Sequence, residues 1–348
     1  MNIILLSPLP PPNGGIATWT EIYKKNMLDM GHVIDVVDLA VKGIRSRDIH
    51  GKIHFKDELR RNANIYHELS CYLRDRSYDV AHVNTSCSNL GIIRDYHCIK
   101  KIEKKGIPIV LECHCNLVDA LHNRMKNKFF RLMASKVKEI IVLNDASLNK
   151  AKKIAPGKVI KLPNFIEKER IIHEKQISDR IHRVLFTGNI LKTKGCNEII
   201  ESAKKMQQID FYLVGKNGNE IELKEVPGNV FLEGPRNRDE VKKYLEGADV
   251  FLFPSYSEGF SMSLLEAMAC GLPIIATDVG ENREMVGSGG GTIIPPRDSE
   301  KIIESLIGMN DKAVRQSMSI NNTKKVRGQY AADVVLAKIV KIYDSVIC

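Results

Sequence analysis

Short apolar runs recur along the first half of the chain at Ile3–Leu6, Val33–Val37, Val80–Val83, Ile107–Leu111 and Ile140–Leu143. They are rich in β-branched residues and lack strict polar alternation, the pattern of strands covered on both faces. Between them lie longer stretches whose apolar positions fall at helical spacing, such as Ile16–Met30 and Asn89–Lys105. The rhythm restarts after the polar segment Glu167–Arg180, with runs at Arg183–Phe186, Phe211–Val214, Val230–Leu232, Val250–Phe253 and Ile274–Ala276. Strand–helix alternation predicts parallel sheets wrapped by helices, hence an α/β fold of two doubly wound domains, 1–165 and 166–330. Their strand carboxyl ends are expected to open onto one central cleft. The last helical stretch, within 331–348, is expected to pack back on the first domain.

A chain of 348 residues exceeds what one core usually supports, in keeping with two domains. No window approaches the ~18 apolar residues of a membrane span. The N-terminal run lacks a basic flank, so a cytoplasmic location is expected. Eight cysteines contain no CxxC pair, which favours reduced thiols over a zinc site or disulfide framework. On a strand, Cys113 and Cys115 face one way and His114 the other, so the three are not expected to share a metal.

Charge changes the picture. Residues 1–165 hold 27 Lys and Arg against 16 Asp and Glu, a net of +11, whereas residues 166–348 hold 25 against 26, a net of −1. The basic half calls for an anionic partner: nucleic acid, anionic lipid or a phosphorylated substrate. Nucleic acid is disfavoured, because no recognition motif or aromatic interleaving accompanies the lysines. Arg124–Lys138 mixes cations with Phe129, Leu132 and Met133 on one helical face, which predicts docking on an anionic membrane surface.

The strongest chemical signal is Pro254-Ser-Tyr-Ser-Glu258-Gly-Phe260-Ser261-Met262-Ser263-Leu-Leu-Glu266, after the strand Val250–Phe253. It opens a helix near Ser261, whose free N–H groups and dipole suit a diphosphate. Glu258 precedes the helix and Glu266 lies two turns in, one placed for sugar hydroxyls and the other for a ribose. In isolation the two could be plain surface charges. A second candidate is Pro12-Asn13-Gly14-Gly15-Ile16, where two glycines after the first strand allow close backbone approach to a ligand, or form a simple tight turn. A third is Thr187-Gly188-Asn189-Ile-Leu-Lys192-Thr-Lys194-Gly195. The triplet Gly289–Gly291 precedes a strand and is expected to be a turn.

These blocks, and the E-x(7)-E block above all, resemble the retaining glycosyltransferases of the GT-B fold, glycosyltransferase family 4, along nearly the whole chain. The resemblance implies two Rossmann-like domains, the first for the acceptor and the second for the nucleotide-sugar donor. It implies that Glu258 contacts the donor sugar and Glu266 the ribose, with Phe260, Ser261, Met262 and Ser263 holding the diphosphate through their backbone. Lys194 then neutralises the leaving group, Gly14 and Gly15 face the donor phosphates, and His114 hydrogen-bonds the sugar. Gly215 and Arg236 fall where the family holds the base, and Glu284 matches a position beside the nucleotide. Asn189 stands where the family usually has arginine, removing a bidentate phosphate clamp, for which Lys192 is a candidate substitute. The partners implied are a UDP- or GDP-sugar and a glycan or lipid-linked acceptor. No cofactor is expected, and no Asp-x-Asp suited to a catalytic divalent metal accompanies the site. An epimerase or hydrolase of the same fold, a non-catalytic basic binding protein and an inactive partner subunit are the competing readings.

Overall fold

A computed structural model describes residues 1–11, 14–41, 55–220 and 226–348. Pro12 and Asn13 of the expected glycine loop lie outside the described residues. The chain divides into two compact units, Met1–Phe165 with Ala332–Cys348, and Ile166–Ala331.

The first unit contains β1 (Asn2–Ser7), α1 (Gly15–Asp29), β2 (Val33–Asp38), α2 (Phe55–Asp75), β3 (Val80–Thr85) and α3 (Gly91–Glu103). It continues through β4 (Ile109–Cys113), α4 (Leu117–Ala120), α5 (Arg124–Ala134), β5 (Glu139–Val142), α6 (Asp145–Lys152) and the short edge strand β6 (Val159–Lys161). The sheet is parallel, in the order β2-β1-β3-β4-β5-β6. Period-two alternation sends Ile4, Leu6, Ala81, Val83 and Leu111 to one face and Ile3, Leu5, Val80 and Val110 to the other. The strand expected at 107–111 begins two residues later because Pro108 has no N–H to give the ladder; its carbonyl instead accepts from Ala81. That shift leaves His114 immediately past the strand's carboxyl end.

Residues 166–331 form β7 (Arg183–Thr187), α7 (Cys196–Lys205), β8 (Asp210–Val214), β9 (Val230–Gly234), α8 (Arg238–Gly247) and β10 (Val250–Phe253). There follow α9 (Met262–Ala269), β11 (Ile274–Thr277), α10 (Asn282–Val286), β12 (Gly291–Ile294), α11 (Ser299–Gly308) and α12 (Lys312–Lys325). This sheet too is parallel, in the order β12-β11-β10-β7-β8-β9. After one π turn at Val326–Tyr330, α13 (Ala332–Ile347) belongs to the first unit, burying Val335, Leu336, Ile339 and Tyr343 against α1 and the sheet. Each such fully buried Leu or Ile contributes about 1.5–3 kcal/mol.

One expectation is corrected. Most of the apolar stripe of α5 is spent inside the first unit: Met133, with Phe130, is fully buried and Phe129 packs edge-on to Tyr96 at 5.5 Å, while Leu132 is half-buried beside the basic residues. Lys126 is buried as well. What α5 leaves exposed is a basic face of Arg124, Lys128 and Arg131 with Met125 beside them. Among the described residues no helix is long and apolar enough to cross a membrane.

Candidate functional site

In the second sheet the chain runs outward from β7 through β8 to β9, then returns to the other side of β7 with β10. The switch point therefore lies between β7 and β10, the crevice at which sheets of this kind bind ligands, and here the loops that follow the two strands meet. The side chains singled out by the sequence converge there. A short 3-10 turn, Lys192–Lys194, follows β7 and ends on Gly195 in the left-handed conformation. Lys194 Nζ lies 2.6 Å from Glu258 Oε1, which descends from the loop after β10. The Tyr256 amide donates to the Thr193 carbonyl at 3.0 Å, clamping one loop to the other.

Two glycines show how tightly these loops are built. A Cβ on Gly195 would come within 2.2 Å of the Pro254 carbonyl oxygen, and one on Gly280, after β11, within 2.4 Å of the Glu258 carbonyl oxygen. Both have positive φ, +73° and +56°. A side chain at either position would displace the backbone that carries Glu258.

Beyond Glu258, Ser261 caps α9, its hydroxyl accepting from the Leu264 amide at 3.2 Å. Phe260 and Ser261 are buried, Met262 and Ser263 half-buried. Met262 and Ser263 form the first turn, whose N–H groups have no partner within the helix and bear its positive pole. Glu266, further along α9, is largely buried, and burial raises its pKa despite the opposing Arg238.

The remaining expected contacts separate. Gly215, after β8, packs on the loop after β7: a Cβ there would lie 1.8 Å from the Gly188 carbonyl oxygen. Asn189 is exposed, and Lys192 is exposed with its amide donating to Glu220 at 2.7 Å. Arg236 is exposed and pairs with Glu233 of its own turn at 3.2 Å. Glu284 is exposed on α10. The arginine that meets the donor-side carboxylates is Arg238, two residues on. Its Nε lies 3.5 Å from Glu266 Oε1, while Nη1 and Nη2 donate to the two oxygens of Glu167 at 2.8 and 2.9 Å. The signal was in the sequence: Asn237-x-x-Glu240 forms a capping box that makes Arg238 the first residue of α8.

In the first unit the switch point lies between β1 and β3. A cavity of about 610 Å³ opens there, lined by Gly14, Gly15, Asn84, Ser88, Arg61 and Arg94, among others. A Cβ on Gly14 would meet nothing within 4 Å among the described residues. The protein's own packing does not demand glycine there. His114 is buried, its side chain 3% exposed, with Nε2 3.4 Å from Glu112 Oε1 and the Trp19 ring edge-on at 5.4 Å. Burial lowers its pKa, which favours the neutral imidazole. Cys113 and Cys115 lie on the opposite face, in the apolar cluster that also holds Cys87. All eight cysteines are free thiols, and among the described residues no group of His, Cys, Asp or Glu could hold a metal ion.

Residues 167–326 match the family described as glycosyl transferases group 1, a span that nearly coincides with the second unit. An uncharacterized glycosyltransferase of Methanocaldococcus jannaschii is 23% identical, with 99% of this chain aligned to 98% of that one. The chain is a glycosyltransferase, and its residues 167–326 carry the group 1 match. Its GT-B fold is shared, at 15% identity and a TM-score of 0.76, with the Anabaena HepE structure in complex with UDP-glucose, over 99% of this chain and 100% of that one. A Campylobacter jejuni N,N'-diacetylbacillosaminyl-diphospho-undecaprenol alpha-1,3-N-acetylgalactosaminyltransferase is 27% identical over 65% of this glycosyltransferase and 59% of its own length.

Proposed function

We propose that this glycosyltransferase moves a sugar from a UDP- or GDP-sugar onto a glycan or lipid-linked acceptor, with retention of anomeric configuration, in the synthesis of a polysaccharide or glycolipid. The observation that carries the reading is the meeting of Lys194 and Glu258 at the β7–β10 switch point, beside the positive end of α9. In the transfer, negative charge grows on the departing diphosphate. The ammonium of Lys194 and the amides of Met262 and Ser263 are placed to absorb it, and preorganised donors of this kind contribute about 2.7–4 kcal/mol each. Glu258 accepts hydrogen bonds from the sugar, Glu266 from the ribose, and neutral His114 hydrogen-bonds the sugar as the bond breaks.

The first unit takes the acceptor. Its cavity at the β1–β3 switch point, with Gly14 open to solvent, supports that assignment. The names of its relatives, one acting on a diphospho-undecaprenol-linked sugar and another a capsular polysaccharide biosynthesis enzyme of Staphylococcus aureus, support the acceptor class. With Lys194 and a helix terminus carrying the charge, turnover needs no divalent metal and survives excess EDTA. The test is nucleoside diphosphate release with and without a diphospho-undecaprenol-linked sugar. Release that depends on acceptor supports transfer; equal release from donor alone would assign a hydrolase.

A further inference from the structure

A chain of buried polar groups runs beneath the helices of the first unit and ends at His114. Tyr23 Oη of α1 and Tyr343 Oη of α13 lie 2.6 Å apart, and Tyr343 Oη is 2.6 Å from His82 Nδ1. His82 Nε2 is 3.0 Å from Asn84 Oδ1 and 3.1 Å from Glu112 Oε2. Glu112 Oε1 in turn faces His114 Nε2 at 3.4 Å. His82 and Glu112 lie directly across the β3–β4 ladder from each other's neighbours, Val110 and Asn84. Alternation then puts His82, Asn84, Glu112 and His114 on the face covered by α1 and α13.

Such a chain is expensive where it stands. Tyr23, His82 and Tyr343 are fully buried and Glu112 is 2% exposed. A buried carboxylate flanked by imidazoles is often no more stable than apolar side chains of the same volume. His114 Nε2 has no hydrogen-bond partner within the described residues, and Glu112 is the carboxylate it faces. The 3.4 Å gap is long for a hydrogen bond, as is common in unliganded sites that tighten around substrate.

We propose that Glu112 is a positioning residue for His114. Its carboxylate accepts from Nε2–H, which fixes the tautomer and leaves Nδ1 as a bare acceptor for a sugar hydroxyl. On its other side Glu112 Oε2 lies 3.1 Å from His82 Nε2, without a hydrogen-bond partner among the described residues, and Tyr343 Oη fixes His82 through Nδ1 at 2.6 Å. The C-terminal helix thus sets the geometry of a residue more than two hundred positions earlier in the chain. This inference rests on the role given to His114 above.

The test uses the parent chain and four variants: Glu112→Leu, which removes the acceptor, Glu112→Gln, which keeps the shape, Tyr343→Phe, which removes one hydroxyl, and His114→Ala. Two-bond 1H–15N correlation spectra should show His114 as the Nε2–H tautomer in the parent and a mixture in Glu112→Leu. With donor saturating, kcat should fall about 10–100-fold, the usual scale for such orienting contacts, while donor KM stays within about twofold. Tyr343→Phe should shift both readouts the same way by less. An unchanged His114 tautomer in Glu112→Leu, or parental kcat with only a lower Tm, would overturn the proposal. Should Glu112→Leu fail to fold, the spectrum of Tyr343→Phe decides it, an unchanged tautomer there counting against it. His114→Ala separates the two ideas: parental transfer in that variant removes the role of His114, whereas the spectra still judge its hold by Glu112.

Discussion

Lys194 and Glu258 form an ion pair of 2.6 Å that joins the loop after β7 to the loop after β10. Their side chains retain 29% and 12% of their exposure, so the pair is partly screened by solvent and contributes little to stability, about 1 kcal/mol or less. In the proposed reaction its value is in placement: a diphosphate entering beside α9 would meet a cation already in position, and the carboxylate it displaces would be free to take sugar hydroxyls. Lys194→Ala and Glu258→Gln should each lower kcat by about 10²–10³-fold, the scale of losing one preorganised contact, with Tm nearly unchanged. Steady-state kinetics at saturating donor checks this, and near-parental turnover in either variant would remove the pair from the site.

Gly280 is a glycine the fold needs, and Gly14 is one it does not. Gly280→Ala should lower Tm and transfer together, because its Cβ would press on the Glu258 carbonyl at a φ of +56°, a strain that costs more than about 1 kcal/mol. Gly14→Ala adds a methyl into open space from an extended backbone and should leave Tm alone. Any loss of activity in Gly14→Ala then reports the close approach of a ligand. A lowered Tm in Gly14→Ala, or none in Gly280→Ala, would contradict the assignment.

Burial raises the Glu266 pKa, with Arg238 pulling the other way. A carboxyl whose folded pKa lies above its unfolded value of about 4.3 favours the fold most at low pH, and that contribution is lost as pH climbs through the folded value. Glu266→Gln removes the penalty. It should therefore raise Tm relative to the parent at pH 7 but not at pH 4, while weakening donor binding. Melting curves at the two values check the sign; a variant stabilised only at pH 4 would reverse it.

Because Phe130 and Met133 of α5 are buried, the expectation of docking on an anionic membrane rests on charge, on Arg124, Lys128 and Arg131 and the +11 balance of residues 1–165. Sedimentation with vesicles should need anionic lipid, weaken with salt, and fall when these three residues become glutamate. Lys126 is left intact, since it is buried and its loss would act through packing. Equal recovery with neutral and anionic vesicles would end the membrane reading.

How much of this was legible beforehand follows from what each residue does. The strands were visible because residues such as Ile3–Leu6 and Val250–Phe253 are buried on both faces and read as unbroken apolar runs. Val159–Lys161 was not, because three residues at a sheet edge carry too little pattern. Glu258, Lys194 and Ser261 stood out through the loop, turn and helix start that surround them. Arg238 did not, since its importance comes from facing Glu167 and Glu266, which are distant in sequence. The same holds for Glu112, whose strand position is evident but whose two imidazole neighbours arrive from β3 and from its own strand end. The stripe of α5 was read toward a membrane because periodicity marks an apolar face without naming what covers it.

The central claim, that the β7–β10 crevice receives the diphosphate of a nucleotide sugar, is tested most directly by thermal shift with UDP, GDP and their sugars on the parent and on Lys194→Ala. One base family should stabilise the parent, by about 2.7 kcal/mol at 100 times its Kd, and that stabilisation should be largely lost in Lys194→Ala. No shift with any nucleotide, or an equal shift in both proteins, would contradict it.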